Sequence, residues 1–260
     1  MKLPEGGGQL ALVALFGDKK HNYPDLWTLF EKLQYAIETS VGKENFTRYD
    51  ECRVHGTIVS LEGNRRGSTI CNRHCAQING VYRPMDLDGL LESLLANNPF
   101  LPISVKIGGF KQNLTYSFRS RGNFPYCRSF SFQGELAVAI GWPIKNAQYT
   151  PDLNRFRRSF NQFNVLHKYH SSANAYDNDF FIVLGHTRGD LSDKTVNACQ
   201  AQLRDILAGS DLLPIQITED QLNVVAYPEG DTRLERAVAI SLEEAKAEID
   251  ELKTFYPSIA

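Results

Sequence analysis

One order of hydrophobic patterns occurs twice along this chain and constrains its fold more than any other feature. An apolar run over 10–16 has strand length and ends at Gly17-Asp18. Behind Pro24, Leu26, Phe30, Leu33, Ile37 and Val41 recur every three or four residues up to Gly42, which predicts a helix. A second strand follows at 53–61. A helix over about 86–97 carries Leu87, Leu90, Leu91, Leu94 and Leu95 on one stripe, and Ile103, Val105 and Ile107 then alternate as a third strand. The order starts again at 136–142. Leu153, Phe156, Phe160 and Phe163 predict a helix behind Asp152, and 180–184 is a short strand. Ser192 caps a helix with Val196, Cys199, Leu203 and Leu207 inward, and 222–227 is the last strand. Ser241 and Glu244 form a capping box for a terminal helix at about 241–254. The turn-rich residues 62–85 read as a surface loop.

These patterns predict an α+β fold. One domain over 1–260 would hold two pseudo-symmetric lobes of antiparallel-rich sheet, with outer helices around a central cleft. The lobe-like units lie at about 10–107 and 136–227. Set side by side, they would bring both middle strands to the centre. Overlaying 10–16 on 136–142 brings the 53–61 strand onto the 180–184 strand, although the two halves share negligible identity.

The 53–61 strand carries the chemistry. His55 and Thr57 are two residues apart, so both side chains leave one face. Facing a cleft, the imidazole could move protons and the hydroxyl could hold an oxyanion; facing solvent, the pair would be ordinary polar residues of a half-buried strand. Other constellations are weaker. Cys52-x-x-His55 and Cys71-x-x-His74-Cys75 have zinc-like spacing but lack paired Cys-x-x-Cys knuckles, so free thiols and an exposed loop histidine are expected. His167 and His170 read as a solvated helix end. Arg65-Arg66 and the Arg155, Arg157, Arg158 group read as solvated faces. Arg119, Arg121 and Arg128 interleave with Tyr116, Phe118, Phe124, Tyr126 and Phe130, a composition that could stack bases and contact phosphates. No Gly-rich phosphate loop, Ser elbow or dinucleotide fingerprint is present.

Composition narrows the class. A formal net charge of -2 over 260 residues argues against broad electrostatic capture of nucleic acid and leaves room only for a local basic cleft. The longest apolar runs are too short to span a bilayer, and no cationic, apolar leader is recognisable, so a cytoplasmic protein without membrane contact is expected. Five cysteines, an odd count, fit reduced thiols. Nothing in the composition sets an oligomeric state.

A tandem strand–helix–strand lobe with His55-Gly56-Thr57 on its central strand, followed by Ile58-Val59-Ser60-Leu61, resembles the two-histidine phosphoesterase superfamily. That group includes RNA 2′,3′-cyclic phosphodiesterases and 2′,5′ RNA ligases. The resemblance covers most of the chain, from about Leu10 to Tyr227. It implies a cleft in which each lobe supplies one His-x-Thr/Ser, one histidine acting as general base and the other protonating the leaving oxygen, with no metal or cofactor. On that reading His55 transfers a proton and Thr57 anchors phosphate. The second copy departs from the pattern, because Phe181 and Val183 stand where the histidine and hydroxyl belong. His186, just past the strand, is the candidate for the second role, and His170-Ser171-Ser172 is a further His-x-Ser in a polar segment. The implied ligand is a cyclic phosphate or a nucleotide or RNA terminus, with Phe181, Tyr116, Arg119, Arg121 and Tyr126 as binding residues. The alternative is a catalytically inactive module that binds a nucleotide, an RNA end or a protein partner.

Overall fold

The computed structural model describes residues 2–172, 174–231 and 235–259. Thirteen strands occur among them: β1 (Gly8–Ala14), β2 (Phe46–Arg48), β3 (Gly56–Ser60), β4 (Gly63–Arg66), β5 (Thr69–Asn72), β6 (Ile103–Ile107), β7 (Phe130–Gln133), β8 (Leu136–Lys145), β9 (Gln148–Tyr149), β10 (Phe180–Thr187), β11 (Ile215–Ile217), β12 (Leu222–Pro228) and β13 (Val238–Ser241). The main helices are α1 (Pro24–Val41), α2 (Arg73–Asn79), α3 (Leu87–Leu95), α4 (Asp152–Ser159), α5 (Asp193–Ala208), α6 (Leu242–Ala247) and α7 (Ile249–Phe255). The protein is thus mixed α+β. No helix among the described residues is long and apolar enough to cross a membrane.

Eleven strands join in one antiparallel sheet, whose principal path runs β11-β6-β8-β10-β3-β1-β12-β13. The two middle strands of the sequence units, β3 and β10, lie side by side at its centre. The outer strands are exchanged, however. β6, from the first unit, pairs with β8 of the second, and β12 pairs with β1 of the first. The contiguous units 10–107 and 136–227 are therefore interlocked in space. Hydrophobic pattern identifies strands but not the edge each will join, since any alternating strand offers an apolar face to either half.

The two halves also share an irregularity. Leu12 faces Val59 and Val13 faces Thr57, so Ile58 is an extra residue in β3. Ala137 faces Gly185 and Val138 faces Val183, which makes Leu184 the matching extra residue in β10. Each bulge shifts the alternation by one residue. It turns Val59 into the core and lets Ser60 join His55 and Thr57 on the concave face. By this register Thr57 corresponds to Val183, His55 to Phe181 and Ser60 to His186.

The convex face carries the main core. Leu10, Leu12, Ile58, Ile182 and Leu184 pack there with Phe30, Leu33 and Ile37 of α1 and with Leu203 and Leu207 of α5. α1 begins with Pro24 at its first turn and stops at Gly42, whose φ of +92° an L side chain adopts only with strain. Ser192 caps Thr195 N–H, and the Ser241–Glu244 capping box has both reciprocal bonds. Residues 62–85 are not a loop: β4 and β5 form a hairpin turning at Gly67, and Asn72 caps α2. The turn residues 67–68 occupy only the hairpin tip, and Ile70 and Cys71 of β5 are both buried.

β3 and β10 touch through a single rung, Ile182 opposite Gly56. Any side chain at Gly56 would collide with the buried Phe180 ring. Gly56→Ala is therefore expected to destabilise the protein by about 1–3 kcal/mol through overpacking. Urea denaturation measures this, and an unchanged midpoint would show that the two strands do not meet as described.

Candidate functional site

The concave face holds a cleft of about 430 Å³, within the size range of small-molecule sites. Its walls differ. His55, Thr57, Ser60, Glu62 and His74 make one side polar; Leu136, Val138, Phe181 and Val183 make the other apolar. His167, Lys168 and Tyr169 also line it, Tyr49 stands beside β10, and Tyr227 projects from β12 next to β1. The division follows from the register, because the polar wall is the face of β3 and the apolar wall the equivalent face of β10 and β8.

His55 is 7% exposed, and its Nδ1 lies 2.6 Å from the Arg53 carbonyl oxygen. A carbonyl only accepts, so Nδ1 carries the proton and donates it, which leaves a lone pair on Nε2. Burial pushes the His55 pKa down to about 4, with Lys19 adding to the effect and the Arg53 bond opposing it. At neutral pH His55 is thus a neutral imidazole whose Nε2 can take a proton. Thr57 stands two residues on and is half-buried on the same wall.

Arg157 fixes this geometry from below. It is fully buried, and its guanidinium donates to the Ile58 carbonyl at 2.7 Å and the Thr57 carbonyl at 3.0 Å on β3. The same group donates to Asp177 Oδ2 at 2.7 Å and to the Asp179 carbonyl at 3.0 Å, immediately before β10. Continuing the ladder from Ile182–Gly56 would set residue 180 opposite 58; the guanidinium fork sits there instead. Burial lowers the Arg157 pKa, and Asp177 and Asp179 oppose that shift. For Asp177 burial disfavours the charge, but the His167 bond and the Arg157 and Arg121 charges outweigh it and hold its pKa below the ordinary carboxylate value. Asp179 accepts from Trp142 Nε1 at 2.7 Å, from Ser120 Oγ and from Arg128 at 3.1 Å.

His167 and His170 are not a solvated helix end: both are buried in the segment beyond α4. His167 Nε2 lies 2.9 Å from Asp177 Oδ2. Although this has the spacing of an ion pair, burial and the nearby Arg157 charge hold the His167 pKa down at about 3, so the contact is a hydrogen bond donated by a neutral ring.

Other residues named from sequence fall in different places. Phe181 lines the cleft. Arg121 stacks against Tyr169 at 4.0 Å and Phe181 at 5.2 Å while paired with Asp177 at 3.3 Å, which stiffens the aromatic end of the cleft. Tyr116, Arg119 and Tyr126 are not brought to it. Tyr116 packs edge-on to Phe110 and accepts the Lys111 N–H, Arg119 lies over Phe124 and donates to the Gly122 carbonyl, and Tyr126 donates to Asp205 of α5. Of that segment's aromatics, Tyr116 and Phe118 join Phe110 and Trp142 in a small core on the cleft side of β8, whereas Phe130 packs in the main core. His186 lies within β10, not beyond it. It is 2% exposed and edge-on to Tyr49 at 6.1 Å, so Tyr49 forms the cleft wall there. His74 sits on α2 and is half-buried in the cleft, not on an exposed loop. The five cysteines are free thiols. Among the described residues no group of three or more His, Cys, Asp or Glu is placed to hold a metal.

Arg157, Asp177, His167 and Tyr169 were missed as site residues. Arg157 had a signal: with Leu153, Phe156 and Phe160 it occupies the apolar stripe of α4, where a charge must be buried and paired. Compared with known proteins, the chain matches no family model, and no curated protein matches it significantly in sequence.

Arg157→Leu is expected to cost about 3–5 kcal/mol of stability by stripping Asp177 of its buried partner. Arg157→Lys should recover only part, since an ammonium cannot span both strands as a fork does; urea titration of the three proteins checks the order. A pH effect follows from the histidines. The unfolded chain takes up protons near 6.5, whereas folded His55 and His167 resist protonation down to about 4 and 3. Stability present above pH 6.5 is thus lost as pH falls toward 4, by on the order of a few kcal/mol. Denaturation midpoints measured at both ends of that window test the sign.

Proposed function

We propose that the protein is a two-histidine-phosphoesterase-like protein whose cleft receives a phosphate ester and keeps only one of the two proton-transfer arms. The observation that carries this reading is the duplicated bulge: aligning Ile58 with Leu184 makes Phe181 and Val183, on one cleft wall, the equivalents of His55 and Thr57 on the other. Two strands related in this way flank one opening, as an in-line displacement at phosphorus requires of its acid and base.

On the polar wall, Nε2 of His55 takes a proton from water or a ribose hydroxyl as it attacks phosphorus, and the Thr57 hydroxyl donates to a phosphoryl oxygen. On the apolar wall, Phe181 and Tyr169 offer ring faces to a nucleobase, and neither Phe181 nor Val183 can protonate a leaving oxygen. A positioned acid contributes about 10²–10⁴-fold. The ligand class is a cyclic phosphate or a nucleotide or RNA terminus, and hydrolysis by one arm alone is slow. The second reading, a binding module without turnover, is favoured by one observation: both side chains of the second arm are apolar.

The test is hydrolysis and binding of a 2′,3′-cyclic nucleotide. Turnover in the natural protein that disappears with His55→Ala identifies a one-armed hydrolase. Binding without turnover identifies the module. In both cases Phe181→His with Val183→Thr is expected to raise turnover by about 10²–10⁴-fold. Absence of binding in the natural protein, together with no gain in the double variant, would contradict the proposal.

A further inference from the structure

The segment that closes the cleft has a second side. His167, Lys168 and Tyr169 line the cleft, whereas His170 and Ser172 line a separate pocket of about 310 Å³. Arg83, Arg158, Asn79 and Asn161 contribute to its polar lining, and among the described residues no Asp or Glu lines it. Arg158 directs one N–H to the Ala175 carbonyl, and its charge has no carboxylate on the pocket wall to meet. Two guanidinium groups without a lining carboxylate suit an anion with several acceptor oxygens.

His170 narrows the choice of anion. Its ring is 1% exposed, and Nε2 lies 3.0 Å from Asn154 Oδ1. That oxygen also accepts the Asp177 backbone N–H at 3.1 Å, which fixes the orientation of the amide. Nε2 must therefore carry the proton and donate it, leaving Nδ1 as a bare acceptor. Nδ1 has no hydrogen-bond partner among the described residues. Burial, assisted by Arg158 and Arg157, holds the ring neutral by lowering its pKa to about 4. A buried acceptor in a pocket otherwise rich in donors calls for a ligand that brings a proton of its own.

We propose that this pocket binds a protonated tetrahedral oxyanion, either hydrogen phosphate or the protonated form of a terminal phosphate monoester. Its P–OH donates to His170 Nδ1 while its other oxygens accept from Arg83 and Arg158. A phosphodiester has no such proton, and sulfate has none at neutral pH. The pocket is distinct from the cleft, and the inference stands whatever the cleft does.

Titration calorimetry of the full chain at neutral pH with inorganic phosphate, sulfate and a 5′-nucleoside monophosphate tests this. Phosphate is expected to bind at least about tenfold tighter than sulfate, the value of one hydrogen bond to a charged group. Arg83→Gln, at an exposed position, should weaken phosphate by a similar factor. Monophosphate binding tighter than that of phosphate, and equally sensitive to Arg83→Gln, assigns the site to a terminal phosphate; weaker binding assigns it to the free ion. Equal affinity for phosphate and sulfate, no phosphate binding, or binding indifferent to Arg83→Gln would overturn the proposal.

Discussion

The buried guanidinium of Arg157 occupies the place where the central sheet does not close, and the rest of the arrangement depends on it. β3 and β10 share one rung, at Gly56 and Ile182. Beyond it, the carbonyls of Thr57 and Ile58 on one side and of Asp179 on the other take their hydrogen bonds from the planar fork. A buried carbonyl left unpaired costs free energy comparable to a lost hydrogen bond. The charge needed to span the gap is itself costly to bury, which is why Asp177 lies in contact and why His167 and Arg121 hold Asp177 in turn. One network thus fixes the spacing between the two cleft walls.

That spacing gives the cleft its asymmetry. Two equivalent strand positions face each other, but one carries an imidazole with a hydroxyl and the other a phenyl ring with an isopropyl group. The polar wall presents a lone pair and a hydroxyl, whereas the apolar wall presents aromatic and aliphatic surface. His55 combines features that suit a base: its tautomer is set by the Arg53 carbonyl, and burial keeps it neutral well below physiological pH. The same burial makes its conjugate acid strong, so it accepts a proton only when the developing product charge offsets the loss.

Much of the fold was legible because it was written in local pattern. The α1 stripe, the Ser192 cap and the Ser241–Glu244 box are interactions within a few residues, and sequence spacing specifies them. Strand exchange between the halves was not legible, since β6 pairs with β8 and β12 with β1, strands far apart in sequence. The hairpin at 63–72 was hidden because short polar strands have the composition of a loop. In the site, His55, Thr57 and Phe181 could be placed from alternation and from overlaying the halves. Tyr116, Arg119 and Tyr126 were misplaced because aromatic and basic residues serve equally well in a small core and in a ligand site. Arg157 could have been found, as a charge on an apolar stripe, before any contact was known.

The most direct test of this account is the ¹⁵N spectrum of the His55 ring, followed from neutral to acid pH and on addition of a 2′,3′-cyclic nucleotide. A proton on Nδ1, a bare Nε2, a midpoint near 4 and a shift of the Nε2 signal when the nucleotide binds are expected. A proton on Nε2, a midpoint near the ordinary 6.5, or an Nε2 signal indifferent to bound nucleotide would contradict the account.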